Sequence, residues 1–313
     1  MIQTLKKPVI YSIALAIVAL SWGTSYAIIK DALNSIEPFT LMTVRFGLST
    51  ILLSIIYYKR LIGIKKQDMI RGSIIGIFLF LSFLTLVTGI SYTTASKQSF
   101  IIGAYVLIVP LLAWLINKKK PTIYAIFGTI IATVGIGLLT FNPSMNFNIG
   151  DIISLFCSIF FACHMVTIEK FSKDSDPIIL TIIQFAVTSI LFIVLTGAFE
   201  SYDFTSVSKA YPTIAYLVIV TTVIAFVVQN IAQKHISSTS TALILTLESA
   251  FGSVFAVYLL NEIMTPQMII GCVVIFLGII TQETKWNFLR IKKNQENLVS
   301  GTEQKNISIQ WDK

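Results

Sequence analysis

Residues 97–120 read KQSFIIGAYVLIVPLLAWLINKKK, an uncharged and mostly apolar run with Lys97 before it and the lysines 118–120 after it. A helix of about 20 residues is needed to cross a hydrocarbon core of roughly 30 Å. The stretch between these lysines has that length. It therefore predicts a membrane-spanning helix with a cluster of cations at one end.

Similar runs recur on both sides of this one. Hydrophobic residues make up 55% of the sequence and charged residues 12%, whereas about 25% charged residues is usual in soluble domains; the mean hydropathy is +0.82. Unpaired backbone groups are costly in hydrocarbon, and the runs are too long and too little alternating for barrel strands. The sequence therefore predicts an all-α integral membrane protein. Its ten candidate transmembrane helices lie at 8–29, 37–58, 69–89, 95–116, 121–141, 150–169, 177–196, 211–233, 238–260 and 265–283.

The lysines and arginines predict the orientation. A formal net charge of +8 would suggest nucleic-acid binding in a soluble protein, but here the cations lie in short loops between apolar runs. With the N-terminus inside, 17 of them fall on the cytoplasmic side, and only Lys30, Lys97 and Lys209 lie on the other. Cytoplasmic loops carry such an excess. We therefore expect a multi-pass protein of the cytoplasmic membrane with both termini in the cytoplasm.

The two halves of the chain resemble each other weakly. The segment EPFTLMTVRF from Glu37 matches DPIILTIIQF from Asp176, 139 residues later, and both begin with an acid and a proline. The segment from Gly103 aligns with the segment from Thr246 at an offset of 143. At that offset Gly128 and Gly135 fall on Gly271 and Gly278, and Tyr105 falls on Glu248.

This repeat predicts the domain organisation. Residues 1–141 form a first five-helix repeat, 142–149 a linker, and 150–283 a second five-helix repeat, followed by a polar, basic and disordered tail at 284–313. Because five is an odd number, the second repeat must enter the membrane from the opposite side. Inverted repeats of this kind are typical of secondary transporters, in which access alternates around a central site.

The pattern resembles the drug/metabolite transporter superfamily, EamA type. The resemblance covers about residues 8 to 283, and it is carried by SWGTSYAIIK at 21–30, EPFTLMTVRF at 37–46, the run at 93–121 and LILTLESAFGSVFAVYLLNEIMTPQMIIG at 243–271. Two positions depart from the family's pattern: Ser249 stands where a proline is usual, and Lys119 replaces an acid. The resemblance implies export or exchange of small metabolites, amino acids among them, through a cavity between the halves.

Glu248 is the sharpest candidate for a site residue, because it lies near the middle of the ninth predicted span between apolar segments. An ionisable group at that depth is costly and often marks a substrate or proton pathway. We expect it to bind a substrate amine or carry a coupling proton, the alternative being a structural hydrogen bond. Its repeat mate Tyr105 and the aromatic residues Trp22, Tyr26, Tyr92 and Trp114 are candidates for lining the same cavity, although aromatic residues also form interfacial belts.

Further polar groups lie within the predicted spans. Arg45 could bind a substrate carboxylate in bidentate fashion or take part in a structural pair. Lys97 lies near the outer mouth of the fourth span, where it could gate a substrate or reach lipid headgroups. His164 could couple transport to protons or be structural. Gln98 and Gln229 could be ligands, although buried amides often link helices instead.

The sequence contains no Walker loop, no HExxH motif and no cluster of carboxylates. We therefore expect no cofactor, no metal and no enzymatic activity. The function predicted is secondary transport of small organic metabolites such as amino acids, outward across the membrane and by alternating access, either with or without proton coupling. A membrane-embedded enzyme acting on a lipid-linked substrate, or a channel for an ionic one, is the alternative. Expected partners are a small-molecule metabolite, membrane lipid and a second copy of the chain in a homodimer, but no nucleic acid.

Overall fold

The structure is a computed structural model that describes residues 2–93, 95–118, 120–140, 148–201, 204–260 and 265–284. Within these ranges all regular secondary structure is helical, which confirms the all-α prediction. The predicted linker and tail lie mostly outside the described residues. The helices are α1 Ile2–Ala32, α2 Pro38–Ile56, α3 Tyr58–Leu61, α4 Lys66–Tyr92, α5 Ala95–Gly103, α6 Tyr105–Asn117, α7 Ile123–Thr140, α8 Ile149–Phe171, α9 Pro177–Phe199, α10 Phe204–Lys209, α11 Tyr211–Val218, a π-helical stretch Ile219–Ile224, α12 Ala225–Gln233, α13 Ser238–Leu245, α14 Leu247–Leu260 and α15 Pro266–Thr284.

Seven helical segments among the described residues are long and apolar enough to cross a membrane. They are Val9–Ala32, Pro38–Ile56, Lys66–Tyr92, Lys97–Asn117, Ile149–Phe171, Pro177–Phe199 and Tyr211–Gln233, and two shorter apolar helices cover Ile123–Leu138 and Pro266–Gln282. The ninth predicted span is divided between α13 and α14. Every predicted span is thus occupied by helix, while ten membrane crossings remain a prediction.

Two helices that the repeat relates, α2 and α9, begin in similar sequences but are capped differently. Each has a proline in its first turn, where the missing N–H is no loss. Asp176 caps its own helix α9 by accepting from the Ile178 N–H at 2.8 Å. The start of α2 is instead capped by Glu200, which follows α9 and accepts from the N–H groups of Phe39 and Thr40 at 2.8 and 2.7 Å. This contact joins the two halves.

Helices α2 and α9 pack antiparallel to each other. Near one end Phe39 packs on Phe199, whereas further along α2 Phe46 stacks on Phe192, with centroids 6.2 Å apart. Since the contacts move forward along α2 and backward along α9, the two helices run in opposite directions. An inverted repeat requires this of any two helices that it relates.

The second such pair, α7 and α15, crosses at glycines. A Cβ on Gly128 would lie 2.8 Å from the Gly278 carbonyl oxygen, and one on Gly135 would lie 2.9 Å from the Gly271 carbonyl oxygen. Small residues allow such close approach of helix backbones. The two contacts exchange when each glycine is replaced by its repeat mate, which is the pattern of a two-fold axis between antiparallel helices.

The remaining helices enclose the core between the halves. Helix α4 packs against α8 and α9, α1 packs against α12, α13 and α14, and α8 packs against α5 and α6. Most buried apolar side chains belong to one cluster that extends across these helices. Large apolar side chains such as Ile17, Ile55 and Val194 are more than half exposed, as lipid-facing residues should be.

Candidate functional site

The helices that carry Tyr105 and Glu248 are interrupted at matching positions. Ala104 separates α5 from α6 and its N–H donates to the Ile101 carbonyl, three residues back. Thr246 separates α13 from α14, and its N–H is shared between the Ala242 carbonyl at 3.2 Å and the Leu243 carbonyl at 3.3 Å. Tyr105 and Glu248 therefore lie in the first turn after each break. Interrupted helices at corresponding positions of two repeats are a mark of transporter binding sites.

The Glu248 carboxylate is buried among tyrosines. The hydroxyl of Tyr105 donates to its Oε1 at 3.2 Å, and the hydroxyl of Tyr26 donates to the same atom at 3.5 Å. Glu248 is 2% exposed and Tyr105 is fully buried. Both donors are neutral hydroxyl groups. Among the described residues, no cation lies within ion-pair distance of this carboxylate.

Glu248 lines a cavity of about 40 Å³ between the two halves of the chain. The walls come from both halves of the chain, and Arg45 contributes the second charged group. The other lining residues are Trp22, Ser25, Tyr26, Ile29, Ser82, Phe83, Leu86, Ile102, Cys157, Phe161 and Phe226. The volume suits one or two water molecules and is far below the roughly 300 Å³ or more of a typical ligand pocket. An organic substrate is larger than this cavity, so the surrounding groups would have to move to admit it.

Arg45 is held by the π-helical stretch. Its Nε donates to the Thr222 hydroxyl at 2.6 Å, and its Nη2 donates to the Thr221 hydroxyl at 3.0 Å. The guanidinium also lies over the Phe83 ring, 4.9 Å from the centroid. Arg45 is 2% exposed, and its Nη1 has no hydrogen-bond partner among the described residues. A buried cation with an open donor is suited to an anionic ligand group.

The π-helical geometry explains why the Thr221 carbonyl can accept hydrogen bonds from side chains of other helices. The Ala225 N–H donates to the carbonyls of Val220 and Thr222 instead of Thr221. The Thr221 carbonyl then accepts from the Trp22 indole N–H at 2.9 Å and lies 3.4 Å from Arg45 Nη2. Such π-bulges are frequent at functional sites. Here the irregularity ties α1 and α2 to the span that follows α10.

His164 lies one layer behind the cavity wall. Its Nε2 is hydrogen-bonded to Gln184 Oε1 at 2.8 Å, and its ring stacks on Phe161, which lines the cavity. His164 and Gln184 are both fully buried. The repeat mate of Gln184 is Arg45, so the two mates occupy related positions but only Arg45 lines the cavity.

The remaining candidate residues lie away from the central cavity. Lys97 forms an ion pair with Asp151 at 2.6 Å, and Gln98 donates to the Leu86 carbonyl at 2.7 Å. Gln229 donates to Gln233 at 3.1 Å within its own helix. Gln98 thus links two helices, as buried amides often do, whereas Lys97 pairs with an acid instead of lipid headgroups and Gln229 bonds within its own helix. The structure thus brings together Glu248, Tyr105, Arg45 and Trp22, and places His164, Lys97, Gln98 and Gln229 outside that group.

Several residues that line the cavity, or that hold Arg45 beside it, were not selected as site residues from the sequence. Tyr26, one helical turn after Trp22, is an aromatic candidate for the cavity that the structure does place in its lining, although nothing in the sequence around it linked it to Glu248. The adjacent threonines Thr221 and Thr222 are polar groups within an apolar span, a signal that could have been noticed. Phe161 and Phe226 are indistinguishable by sequence from the many phenylalanines of the core.

The apolar helices and the charged cavity enclosed between them are features of a multi-pass membrane transporter. The sequence pattern of the EamA-like transporter family matches residues 9–141 and, a second time, residues 148–281. The chain therefore belongs to the EamA-like transporter family and is a multi-pass protein of the cell membrane. This confirms the resemblance to the drug/metabolite transporter superfamily.

Similar proteins agree with this assignment. Two relatives from Archaeoglobus fulgidus, each described as an uncharacterized transporter, are 34% identical over 271 residues and 29% identical over 262 residues. The first alignment covers 86% of this chain and 84% of the relative, and the second covers 79% and 88%. A protein of known crystal structure superposes with a TM-score of 0.74 at 14% identity, over 89% of this chain and 98% of that chain. At that identity the match supports the fold alone.

Proposed function

We propose that this protein is a secondary transporter that moves small organic metabolites such as amino acids outward across the cell membrane by alternating access. The observation that carries the proposal is the cavity between the two halves, in which Glu248 and Arg45 are both buried without an ion-pair partner among the described residues. Charged groups inside a membrane are energetically costly, and where they occur they commonly mark a substrate or ion pathway.

The proposed architecture is ten spans in two inverted five-helix repeats, at 1–141 and 150–283, with both termini in the cytoplasm. Its support is the antiparallel packing of the two pairs of related helices, α2 with α9 and α7 with α15. The excess of lysine and arginine on one side supports the orientation. Such an arrangement would let the two halves exchange conformations around the central site.

The charges and walls of the cavity support a substrate with both an amine and a carboxylate. Glu248 is suited to an ammonium group, and the open Nη1 of Arg45 is suited to a carboxylate oxygen. Aromatic rings, among them Trp22, Phe161 and Phe226, would surround an apolar side chain. The proposed partner is therefore a small zwitterion, and no cofactor takes part.

Contacts on the two sides of the cavity support alternating access. On the side proposed to be external, Asp151 binds Lys97 at 2.6 Å and the Thr93 hydroxyl at 3.1 Å. On the side proposed to be cytoplasmic, the Tyr11 ring stacks on His235 with centroids 4.5 Å apart. Opening either side requires one of these two contacts to break while the other persists.

Outward direction and proton coupling are part of the proposal. A buried glutamate can bind a proton from one side and release it to the other when the cavity changes its access, so Glu248 is the proposed proton carrier. In proteoliposomes, an imposed pH gradient should drive accumulation of the substrate against its own gradient. Transport that follows only the substrate gradient would exclude proton coupling and leave facilitated diffusion.

The central experiment compares efflux of a panel of labelled amino acids and small metabolites from cells. Cells express the wild type, Glu248→Gln or Glu37→Gln at matched membrane abundance. Glu37 is a suitable control because it is exposed and its side chain makes no cap hydrogen bond, so the same chemical change there removes no buried charge.

We expect at least one compound to leave faster with the wild type and with Glu37→Gln, and no acceleration with Glu248→Gln. If Glu248→Gln transports as well as the wild type, Glu248 is structural. If the wild type moves none of the panel, the proposed substrate class is wrong.

A further inference from the structure

An apolar groove lies on an exposed side of α6. The groove, of about 500 Å³, runs between α6 and α7 and is lined by Leu107, Leu111 and Trp114 on one side and by Ile126 and Ile130 on the other. All five side chains are at least 40% exposed. An exposed apolar groove on a membrane protein is suited to an acyl chain.

The groove opens into a polar pocket at one end. This pocket, of about 220 Å³, lies between α7, α8, α13 and α15, and Lys120 and Pro121 line both it and the groove. Its polar walls include Glu169, Ser240 and Gln282. A continuous cleft with one apolar and one polar part fits an amphiphile, with its chain in the groove and its headgroup in the pocket.

The polar groups define the chemistry of the headgroup. Gln282 is 5% exposed and its Nε2 donates to the Ser240 hydroxyl at 2.8 Å, but its Oε1 has no hydrogen-bond partner among the described residues. A buried acceptor of this kind requires a donor. Glu169 Oε2 accepts from the Ser238 N–H and hydroxyl at 2.9 and 2.6 Å, which orients the carboxylate at the start of α13.

Among the described residues, the pocket thus presents a cation, Lys120, an anion, Glu169, and an acceptor without a donor, Gln282 Oε1. A headgroup with a phosphate and an ammonium matches all three, because the phosphate can bind Lys120 and the ammonium can donate to Gln282 Oε1 and approach Glu169. An anionic headgroup without an amine would bring a second negative charge close to Glu169 and add no cation to the pocket. A trimethylated amine has no N–H to offer the open acceptor.

We propose that this cleft binds one phosphatidylethanolamine molecule, with its phosphate on Lys120, its amine at Gln282 and Glu169, and an acyl chain in the groove between α6 and α7. The orientation from charge places this lipid in the cytoplasmic leaflet, since the lysines 118–120 belong to the basic side. The proposal concerns a site separate from the central cavity and does not depend on what the protein transports.

The test is lipid retention by the full chain. The protein is reconstituted in nanodiscs that contain equal amounts of phosphatidylethanolamine, phosphatidylglycerol and phosphatidylcholine, and native mass spectrometry identifies the lipids that stay bound. Lys120→Gln is compared with Lys118→Gln, because Lys118 is exposed and lines neither the groove nor the pocket. Leu111→Trp, which fills the groove, is compared with Leu115→Trp, since Leu115 is 63% exposed and lies outside the groove.

We expect the wild type to retain one phosphatidylethanolamine in preference to the other two lipids. Lys120→Gln should lower its retention about tenfold, as loss of one charge-assisted hydrogen bond predicts, and Leu111→Trp should also lower it. Both control variants should retain lipid as the wild type does. Equal retention by Lys120→Gln and Lys118→Gln, or equal retention of the three lipids by the wild type, would overturn the proposal. All four positions are exposed, so folding is checked simply by gel filtration.

Discussion

Replacing Thr222 by valine would test how the π-helical stretch holds Arg45. The change keeps the β-branched shape and removes the hydroxyl that accepts from Arg45 Nε at 2.6 Å. Arg45 is 2% exposed and its Nη1 already lacks a partner among the described residues, so a second unsatisfied donor has little access to water. Loss of a hydrogen bond to a buried charged group costs about 1.5 to 3 kcal/mol.

The measurement is the thermal unfolding midpoint of the purified protein in detergent. A change of 1 kcal/mol shifts the midpoint of a chain of this length by about 2 °C, so Thr222→Val should unfold about 3 to 6 °C below the wild type. The same variant should slow efflux of any compound that the wild type exports, because Arg45 loses its fixed position in the cavity.

Thr241→Val is the matched control for this experiment. Thr241 is equally buried, but its hydroxyl donates only to the Ser237 carbonyl, which also accepts the Thr241 backbone N–H. No buried charge loses a partner, so the midpoint should fall by less than about 2 °C. If the two valine variants unfold at the same temperature, Arg45 does not depend on Thr222 and the role assigned to the π-helical stretch is wrong.

Two further predictions concern packing and charge. Gly135→Ala places a Cβ 2.6 Å from a backbone nitrogen of α15 and should destabilise the protein by about 1 to 3 kcal/mol, whereas Gly137→Ala has nothing within 4 Å and should be neutral or stabilising by up to about 1 kcal/mol. Equal midpoints for the two alanine variants would contradict the close crossing of α7 and α15. Lys97→Met leaves the fully buried side chain of Asp151 without its cation and should cost about 3 kcal/mol or more, while Arg60→Met breaks a pair in which Arg60 is 48% exposed and should cost less than about 1 kcal/mol. Similar losses in both methionine variants would show that the two ion pairs are equivalent.

Much of the fold could be predicted because a membrane restricts what a chain can do. A segment such as 97–120 must form a helix in hydrocarbon, so its apolar length and terminal lysines suffice to locate it. Segment ends were less certain. Helix α4 extends beyond the predicted 69–89 at both ends, to Lys66 and Tyr92, and the Asp68 carboxylate accepts the Lys65 N–H at its start. Polar capping groups determine where such a helix begins and ends, and the length of the apolar run does not reveal these positions.

The repeat predicted one part of the candidate site. Tyr105 and Glu248 are repeat mates, and mates near a two-fold axis must be close to each other, as their 3.2 Å hydrogen bond illustrates. The repeat gave no such information for Arg45, because its mate Gln184 is a different kind of residue and binds His164 instead.

The sequence by itself determined the helical class, the positions of the apolar segments, the family and the relation between Tyr105 and Glu248. These features follow from local composition and from the comparison of one half with the other. Only the tertiary structure decided that Lys97 pairs with Asp151 and that Arg45 rests on Thr222 beside the central cavity. The spans are apolar on nearly all sides, so no stripe of polar residues fixes how each helix is rotated. The partners of Lys97 and Arg45 are set by packing between helices, and they lie 54 and 177 residues away in the chain.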